Sequence, residues 1–419
     1  MSDAPETVVR NAYIPNGDAV VDIAIDDGWI TAVQPAIADD GETELDADGD
    51  LVSPGLIDAH VYLDMALSAT GDRLPRNNEG WAGRIDAIEK TATYFAEIEA
   101  DAIVANVHEV AEWTISNGVL HLRTHAYVDS TVGTDVVEAV ATARDALDDR
   151  LDIEIVAFPQ QGIRRDEGSE AALRDALDAG ADLVGGLDPA TLNDDREGTI
   201  DTWFDVATRY DAELDVHIHE RGAIGMKTLE YLAEETIDRG YEGRVTASHA
   251  YALADAASGN AGNEDEIGQS GGLNDAMETF EAADLRFITC YQSTPQGMPI
   301  QQVHDAGVVM AHGTDQVHDL WGAHGNIDAL EAMSVESLKL KGYSTNEGLA
   351  HLWQLITIKG ATVLGREDTY DIEPRTPAGL VVHNGRSPQW AILKQSDPRY
   401  VLKNGCVVAA NGVTESITN

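Results

Sequence analysis

The rhythm of hydrophobic and polar positions changes twice along the chain. Residues 7–35 run in short β-prone stretches broken by Asn-Gly and Asp-Asp-Gly, the residues of tight hairpin turns. From position 51, apolar runs alternate with longer stretches of helical period, such as VVEAVATARDALDD and EAALRDALDAG. The runs lie at 51–59, 119–124, 153–158, 182–187, 213–218, 244–248, 286–290 and 307–311. Eight buried strands, each followed by a helical segment, predict an α/β fold: a parallel (β/α)8 TIM barrel. After 379, GLVVHN, WAILK and RYVLKNGCVVAANG return to the short β rhythm. The two ends are therefore expected to pair as a small β-sandwich domain, residues 1–56 with 376–419, beside a barrel at 57–375. A Gly-, Asn- and acid-rich stretch, 257–275, reads as a loop after the sixth strand.

Composition narrows the partners. Of 419 residues 43% are hydrophobic, enough for a full core. Acidic side chains number 74 against 27 basic, a formal charge of −47, and only seven of the basic residues are lysine. Such a field repels phosphates and anionic lipid, so neither nucleic acid nor a membrane is an expected partner. An Asp- and Glu-rich, Lys-poor surface suits high salt, where self-repulsion is screened. A halophilic source is expected, and acidic runs such as 262–266 read as solvated surface. Cys290 and Cys406 are too few for a disulfide scaffold or a four-thiolate zinc site. No charged-then-apolar leader opens the chain and no run approaches ~20 apolar residues, so the expectation is a soluble, cytoplasmic protein.

Candidate chemistry gathers at the ends of the predicted strands, the catalytic face of such barrels. Strand one ends in His60-Val61-Tyr62-Leu63-Asp64, strand two in Thr124-His125, and strand three in Pro159-Gln160-Gln161. Strand four runs into Asp188, strand five into His217-Ile218-His219-Glu220, strand six into Ser248-His249, and strand eight into Gly313-Thr314-Asp315-Gln316. Each one alone reads as a packed histidine or a helix cap; six of eight ends carrying His or Asp do not. His60, His217 and Asp315 suit a divalent ion such as Zn²⁺ or Fe²⁺, which would lower the pKa of a bound water. Glu220 offers a second acid to carry a proton, and His249 a group to stabilise developing charge.

These residues carry a resemblance. LVSPGLIDAH, the HIHE run, the Ser-His after strand six and the late Thr-Asp resemble the amidohydrolase superfamily. TGDRLP (70–75), RTH (123–125), IVAFPQQG (155–162), LVGGLDPAT (183–191), YEGRVTASHA (241–250), TCYQSTP (289–295) and SPQWAI (387–392) look like its cytosine-deaminase branch, above all the isopropylammelide hydrolases. The resemblance implies a mononuclear metal site, hydrolytic loss of ammonia or an amine from a small-molecule heterocyclic substrate, and a homo-oligomer. It makes His60, His217 and Asp315 metal ligands, Glu220 the proton shuttle to the ring, and His249 the group that polarises the water. Gln160, with Phe158 beside it, matches a ring-binding position, and Gln316 and Trp321 match pocket positions. Three positions depart from the pattern. Tyr62 stands where the family has a second His ligand of strand one, Gln316 replaces the second Asp of cytosine deaminase, and Met65 replaces a Lys of the isopropylammelide enzymes. At Tyr62 three outcomes are open: phenolate ligation, replacement by water or His219, or loss of the metal. The last would leave a weak or inactive barrel with a binding role.

Other chemistries lack their residues. Strand four carries no Lys for a binuclear centre, Cys290 has no nucleophile elbow, and no GxGxxG or P-loop occurs. His108, His121, His304, His324, His351 and His383 read as surface or packing residues. His125, His219, His312 and His318 lie nearer the rim.

Overall fold

The computed structural model describes residues 5–15, 20–69, 80–258, 273–293 and 298–415. TGDRLP, the acidic run 262–266 and most of the loop expected at 257–275 lie outside the described residues. The two flanks of that loop are helical, in Tyr251–Ser258 and Leu273–Ala282.

The N-terminal segment forms β1 (Thr7–Tyr13), β2 (Val20–Asp26), β3 (Trp29–Gln34) and β4 (Thr43–Asp46), in the order β3-β2-β1-β4 with β1 and β4 parallel. Asp27 (φ 49°) and Gly28 (φ 77°) turn β2 into β3. Two consecutive residues at positive φ match the strand twist, which is why Asp-Gly is found there. Next comes β5 (Val52–Pro54), and at Gly55 the chain changes sheets, so the run at 51–59 is two strands. Gly55 N–H still donates to Gly379 O, whereas Leu56 N–H donates to Gly118 O beside the second barrel strand.

The barrel consists of β6 (Leu56–Val61), β7 (Val119–Tyr127), β8 (Asp152–Phe158), β9 (Leu183–Leu187), β10 (Glu213–His217), β11 (Val245–Ser248), β12 (Arg286–Cys290) and β13 (Met310–Gly313). Each is parallel to the next. Tyr62 N–H donates to Asp315 O (3.0 Å) and Asp315 N–H to His60 O (2.9 Å), which brings the last strand back to the first. The run at 307–311 starts its strand late, because Gly307 (φ 78°) and Val308 close the preceding helix, Ile300–Asp305. Helices pack outside on apolar stripes; Asp135–Leu147 buries Val136, Val137, Val140 and Ala143.

C-terminal strands β14 (Leu380–Val382), β15 (Tyr400–Lys403), β16 (Cys406–Ala410) and β17 (Val413–Thr414) form a second sheet, which β5 joins against β14. Val9, Ile23 and Ile25 of the first sheet pack with Val52, Leu380 and Leu402 of the second, so the two terminal sheets share one core. Among the described residues no helix is long and apolar enough to cross a membrane.

Candidate active site at the mouth of the barrel

Alternate residues of three strands line the barrel axis with polar groups: His121, Arg123 and His125 on β7; Asp152 and Glu154 on β8; Glu213, Asp215 and His217 on β10. At the floor these charges are matched. Arg123 donates to Glu154 (3.0 Å) and Asp215 (3.1 Å), and Asp152 meets His121 (2.7 Å), Arg366 (2.9 Å) and Lys403 (2.6 Å).

Asp215 links the floor to the mouth. Ser248 Oγ donates to Asp215 Oδ1 (2.9 Å) and lies 3.1 Å from His60 Nδ1. A hydroxyl has one proton, so His60 Nδ1–H is the donor in that second contact and the imidazole lone pair sits on Nε2. Asp58 fixes the same corner by accepting from His60 N–H (3.2 Å), Thr314 N–H (3.0 Å) and the Thr314 hydroxyl. Gly313 leaves the space for His60, whose Cβ would lie 2.3 Å from any Cβ at that position.

His60, His125 and His217 are buried together, each offering a ring nitrogen within 4.8 Å of the others. His60, His249 and Cys290 form a second, overlapping group. Among the described residues His60 Nε2, both nitrogens of His125, His217 Nδ1 and Asp315 Oδ2 have no hydrogen-bond partner. His60 Nε2 lies 3.9 Å from Asp315 Oδ1. Burial and neighbouring imidazoles hold His60 and His217 far below the ordinary histidine range, so both are neutral. Burial, then Asp319, pushes the Asp315 carboxyl up to about 8. Neutral imidazoles and a carboxyl that would yield its proton to a cation are the donor set a divalent ion requires; His60 Nε2 and Asp315 Oδ2 stand unused, and the residues fit one. Tyr62 adds a competing contact, its hydroxyl 2.5 Å from His217 Nε2. Burial and Asp315 raise the phenol well above its usual pKa, so Tyr62 is the donor.

His249 and Asp315 both hold positive φ (69° and 70°), backbone strain of the kind found where side-chain direction matters. His249 Nδ1 meets Ser293 Oγ (3.1 Å), and its ring stacks on His219 at 4.4 Å. His219 is held by Asp188, which accepts from its backbone N–H (2.6 Å) and lies 3.3 Å from Nδ1. Above these groups opens a cavity of about 460 Å³, within the usual size of small-molecule sites. Tyr62, Phe158, Gln160, Gln316 and Trp321 are among its walls.

The structure thus brings His60, Tyr62, His217, His249 and Asp315 together, with Phe158, Gln160, Gln316 and Trp321 around them. It does not bring Glu220 into the cavity wall. One Glu220 oxygen accepts from Ala190 N–H and Thr191 N–H (both 2.7 Å), and the other accepts from the Thr228 hydroxyl. The carboxylate closes the turn after β9, and the neighbouring His219 faces the cavity instead. Of the rim histidines, His125 is central, whereas His318 Nδ1 is bound to Ala323 O (2.8 Å) and His312 lies by Tyr291. Arg84, Arg221 and Tyr251 of the cavity wall carry no sequence signal: they reach it from helices or helix starts, and only the tertiary path shows where those point.

This arrangement of barrel and site is matched among known proteins. Residues 43–409 match the model of the Amidohydrolase family, and the chain belongs to that family. It is a hydrolase of that type. It is 39% identical to the N-isopropylammelide isopropyl amidohydrolase of Pseudomonas sp. (strain ADP) over 413 residues, covering 99% of each chain. The crystal structure of N-isopropylammelide isopropylaminohydrolase from Burkholderia multivorans superposes with a TM-score of 0.83 at 28% identity, covering 98% of this chain and 99% of that one. A 5-methylcytosine deaminase from Klebsiella pneumoniae shares the fold, with a TM-score of 0.84 at 23% identity and 98% and 99% coverage.

Proposed function

We propose that this protein hydrolyses an amino or alkylamino group off a carbon of a cytosine-, pyrimidine- or aminotriazine-like ring. The observation that carries the reading is the set of fully buried ligand atoms of His60, His217 and Asp315 beneath a ligand-sized cavity: His60 Nε2 and Asp315 Oδ2 have no hydrogen-bond partner among the described residues, and His217 Nε2 meets the Tyr62 hydroxyl. The names of the similar proteins, which act on an aminotriazine and a methylcytosine, support the same substrate class.

His60, His217 and Asp315 would hold one Zn²⁺ or Fe²⁺, with Tyr62 the further candidate ligand once its phenol gives up His217 Nε2. When bound, such an ion lowers the pKa of water towards neutrality and so supplies a nucleophile. Asp315 accepts the proton of the attacking water. His249 donates to the oxygen that bonds to the attacked carbon, where charge develops. Gln160 and Gln316 present amides to the ring edge, each reading one carbonyl or N–H. His219, aimed by Asp188, is placed to carry the proton to the ring nitrogen and the leaving amine. Glu220 would reach the ring only by giving up three donors, and it holds the turn instead. The acidic, Lys-poor composition supports a salt-rich cytoplasm, and a homo-oligomer is part of the same reading.

A non-catalytic barrel is not favoured, because a binding scaffold has no use for five buried polar atoms without partners. The direct test is amine or ammonia release from a panel of amino- and alkylamino-substituted pyrimidinones and triazinones in molar salt, before and after chelation. Release that chelator abolishes and added Zn²⁺ or Fe²⁺ restores is expected. Release from no ring at any metal loading would contradict the reading.

A further inference from the structure

Charge in the cavity runs against charge in the chain. The protein has 74 acidic and 27 basic residues, yet among the described residues the cavity wall holds two arginines, Arg84 and Arg221, and one carboxylate, Asp315. The arginines are not equivalent. Arg221 is spent on Asp255 through two bonds (2.8 and 2.5 Å) and lies over the Tyr251 ring. Arg84, from the helix Gly80–Glu97, gives a single bond, Nη1 to Asp188 Oδ2 at 2.8 Å, and makes no other hydrogen bond to the described residues. A guanidinium has five N–H donors, so among the described residues most of its fork has no acceptor. Asp188 is fully buried and also accepts from His219, so one carboxylate fixes both the guanidinium and the imidazole that face the ring.

We propose that Arg84 is the specificity-determining contact for a ring bound as an anion, one whose acidic N–H lies between two carbonyls. The proposal rests on the hydrolase reading and names its substrate class. Such a ring presents a planar O–N–O edge carrying the charge, and a guanidinium meets it with parallel N–H donors, as it meets a carboxylate. Gln160 and Gln316 are neutral and serve the remaining carbonyl and N–H positions. The overall negative field would otherwise repel an anion, but salt screens it to ~3 Å at molar ionic strength, so the local cation decides. Asp188 acts through Arg84 and His219 and is a positioning residue.

The test is calorimetric and needs no turnover. 5,5-Diethylbarbiturate, a trioxopyrimidine with no C5 proton that ionises at a ring N–H between two carbonyls and is largely anionic at pH 8.5, and uracil, still mostly uncharged at that pH, are titrated into the full-length protein in molar salt. Arg84→Gln is expected to weaken barbiturate about tenfold to a hundredfold, the loss of a charge-assisted contact, and to change uracil less than about threefold. Arg84→Lys keeps the charge without the fork and should fall between parent and Arg84→Gln. Asp188→Asn retains Arg84, so it should bind barbiturate more weakly while still preferring it over uracil. Unfolding midpoints check that each variant is folded. Equal barbiturate affinity in parent and Arg84→Gln overturns the proposal, and so does an equal loss of both ligands. A parent that binds barbiturate through Arg84 but releases amine from no ring would refute the hydrolase reading and leave this one standing.

Discussion

The floor and the mouth of the barrel are built from the same strands and the same residue types, and they differ in one respect. At the floor, Arg123 is matched by Glu154 and Asp215, and Asp152 by His121, Arg366 and Lys403. At the mouth, two residues further along β7 and β10, His125 and His217 keep nitrogens with no hydrogen-bond partner among the described residues, as does His60, and Asp315 keeps such an oxygen. Burying a polar atom without a partner costs about 1–3 kcal/mol; at the floor the side chains with such atoms, His121 and Arg366, are held by the Asp152 carboxylate, whereas at the mouth the His60 and Asp315 atoms have no such compensation. The floor is held by its own ion pairs; the mouth leaves ligand atoms beneath a cavity, as the proposed function requires.

The largest expected effects separate the two ends. Arg123→Met strands Asp215 and Glu154 without their cation and should cost about 3–5 kcal/mol of stability, measured by denaturant unfolding. Asp315→Asn should cost less than about 1 kcal/mol, since burial already keeps that carboxyl largely protonated and the amide is of similar shape, yet lower kcat about 10²–10⁴-fold. If both changes act on stability alone, the distinction between the ends fails.

A second pair sharpens the mouth itself. His219→Gln should lower kcat about 10²–10⁴-fold at nearly unchanged stability. Glu220→Gln should lower kcat less than tenfold and cost about 1–3 kcal/mol, by disturbing the turn it closes. The reverse pattern, steady-state kinetics against unfolding midpoints, would return the proton-carrying role to Glu220.

The smallest effect concerns a buried histidine far from the mouth. Burial holds His383 down at about 3, and Ser53 Oγ sits 2.8 Å from its ring. A folded pKa below the unfolded ~6.5 means that its contribution is intact above pH 6.5 and lost as pH falls towards 3, by about 1.4 kcal/mol per unit. Unfolding at pH 7.5 and 5.5 should show a smaller acid loss in His383→Gln than in the parent.

Much of this was legible in the sequence. The eight apolar runs mark the eight barrel strands, and Asp-Gly and Asn-Gly mark the hairpins, because backbone period and positive φ leave local signals. His60, His217, His249 and Asp315 were legible because they follow strand ends. What escaped was side-chain direction. HIHE puts two acid–base groups side by side, and only the turn after β9 decides that His219 faces the cavity while Glu220 bonds Ala190 and Thr191. Arg84 escaped for a related reason, since its reach depends on the path of a helix. His125 was legible as a rim histidine at the end of strand two, and the alternation His121, Arg123, His125 places it beyond the buried arginine on one face of β7.

On the proposed function, the His60, His217 and Asp315 atoms of the mouth hold a metal ion, Tyr62 notwithstanding. Elemental analysis of protein purified in molar salt tests it most directly, with the parent beside His60→Ala and Tyr62→His. About one Zn or Fe per chain in the parent, retained in Tyr62→His and lost in His60→Ala, is the predicted result. A correctly folded parent without metal, beside a Tyr62→His variant that carries it, would contradict the claim and mark Tyr62 as the residue that closed the site.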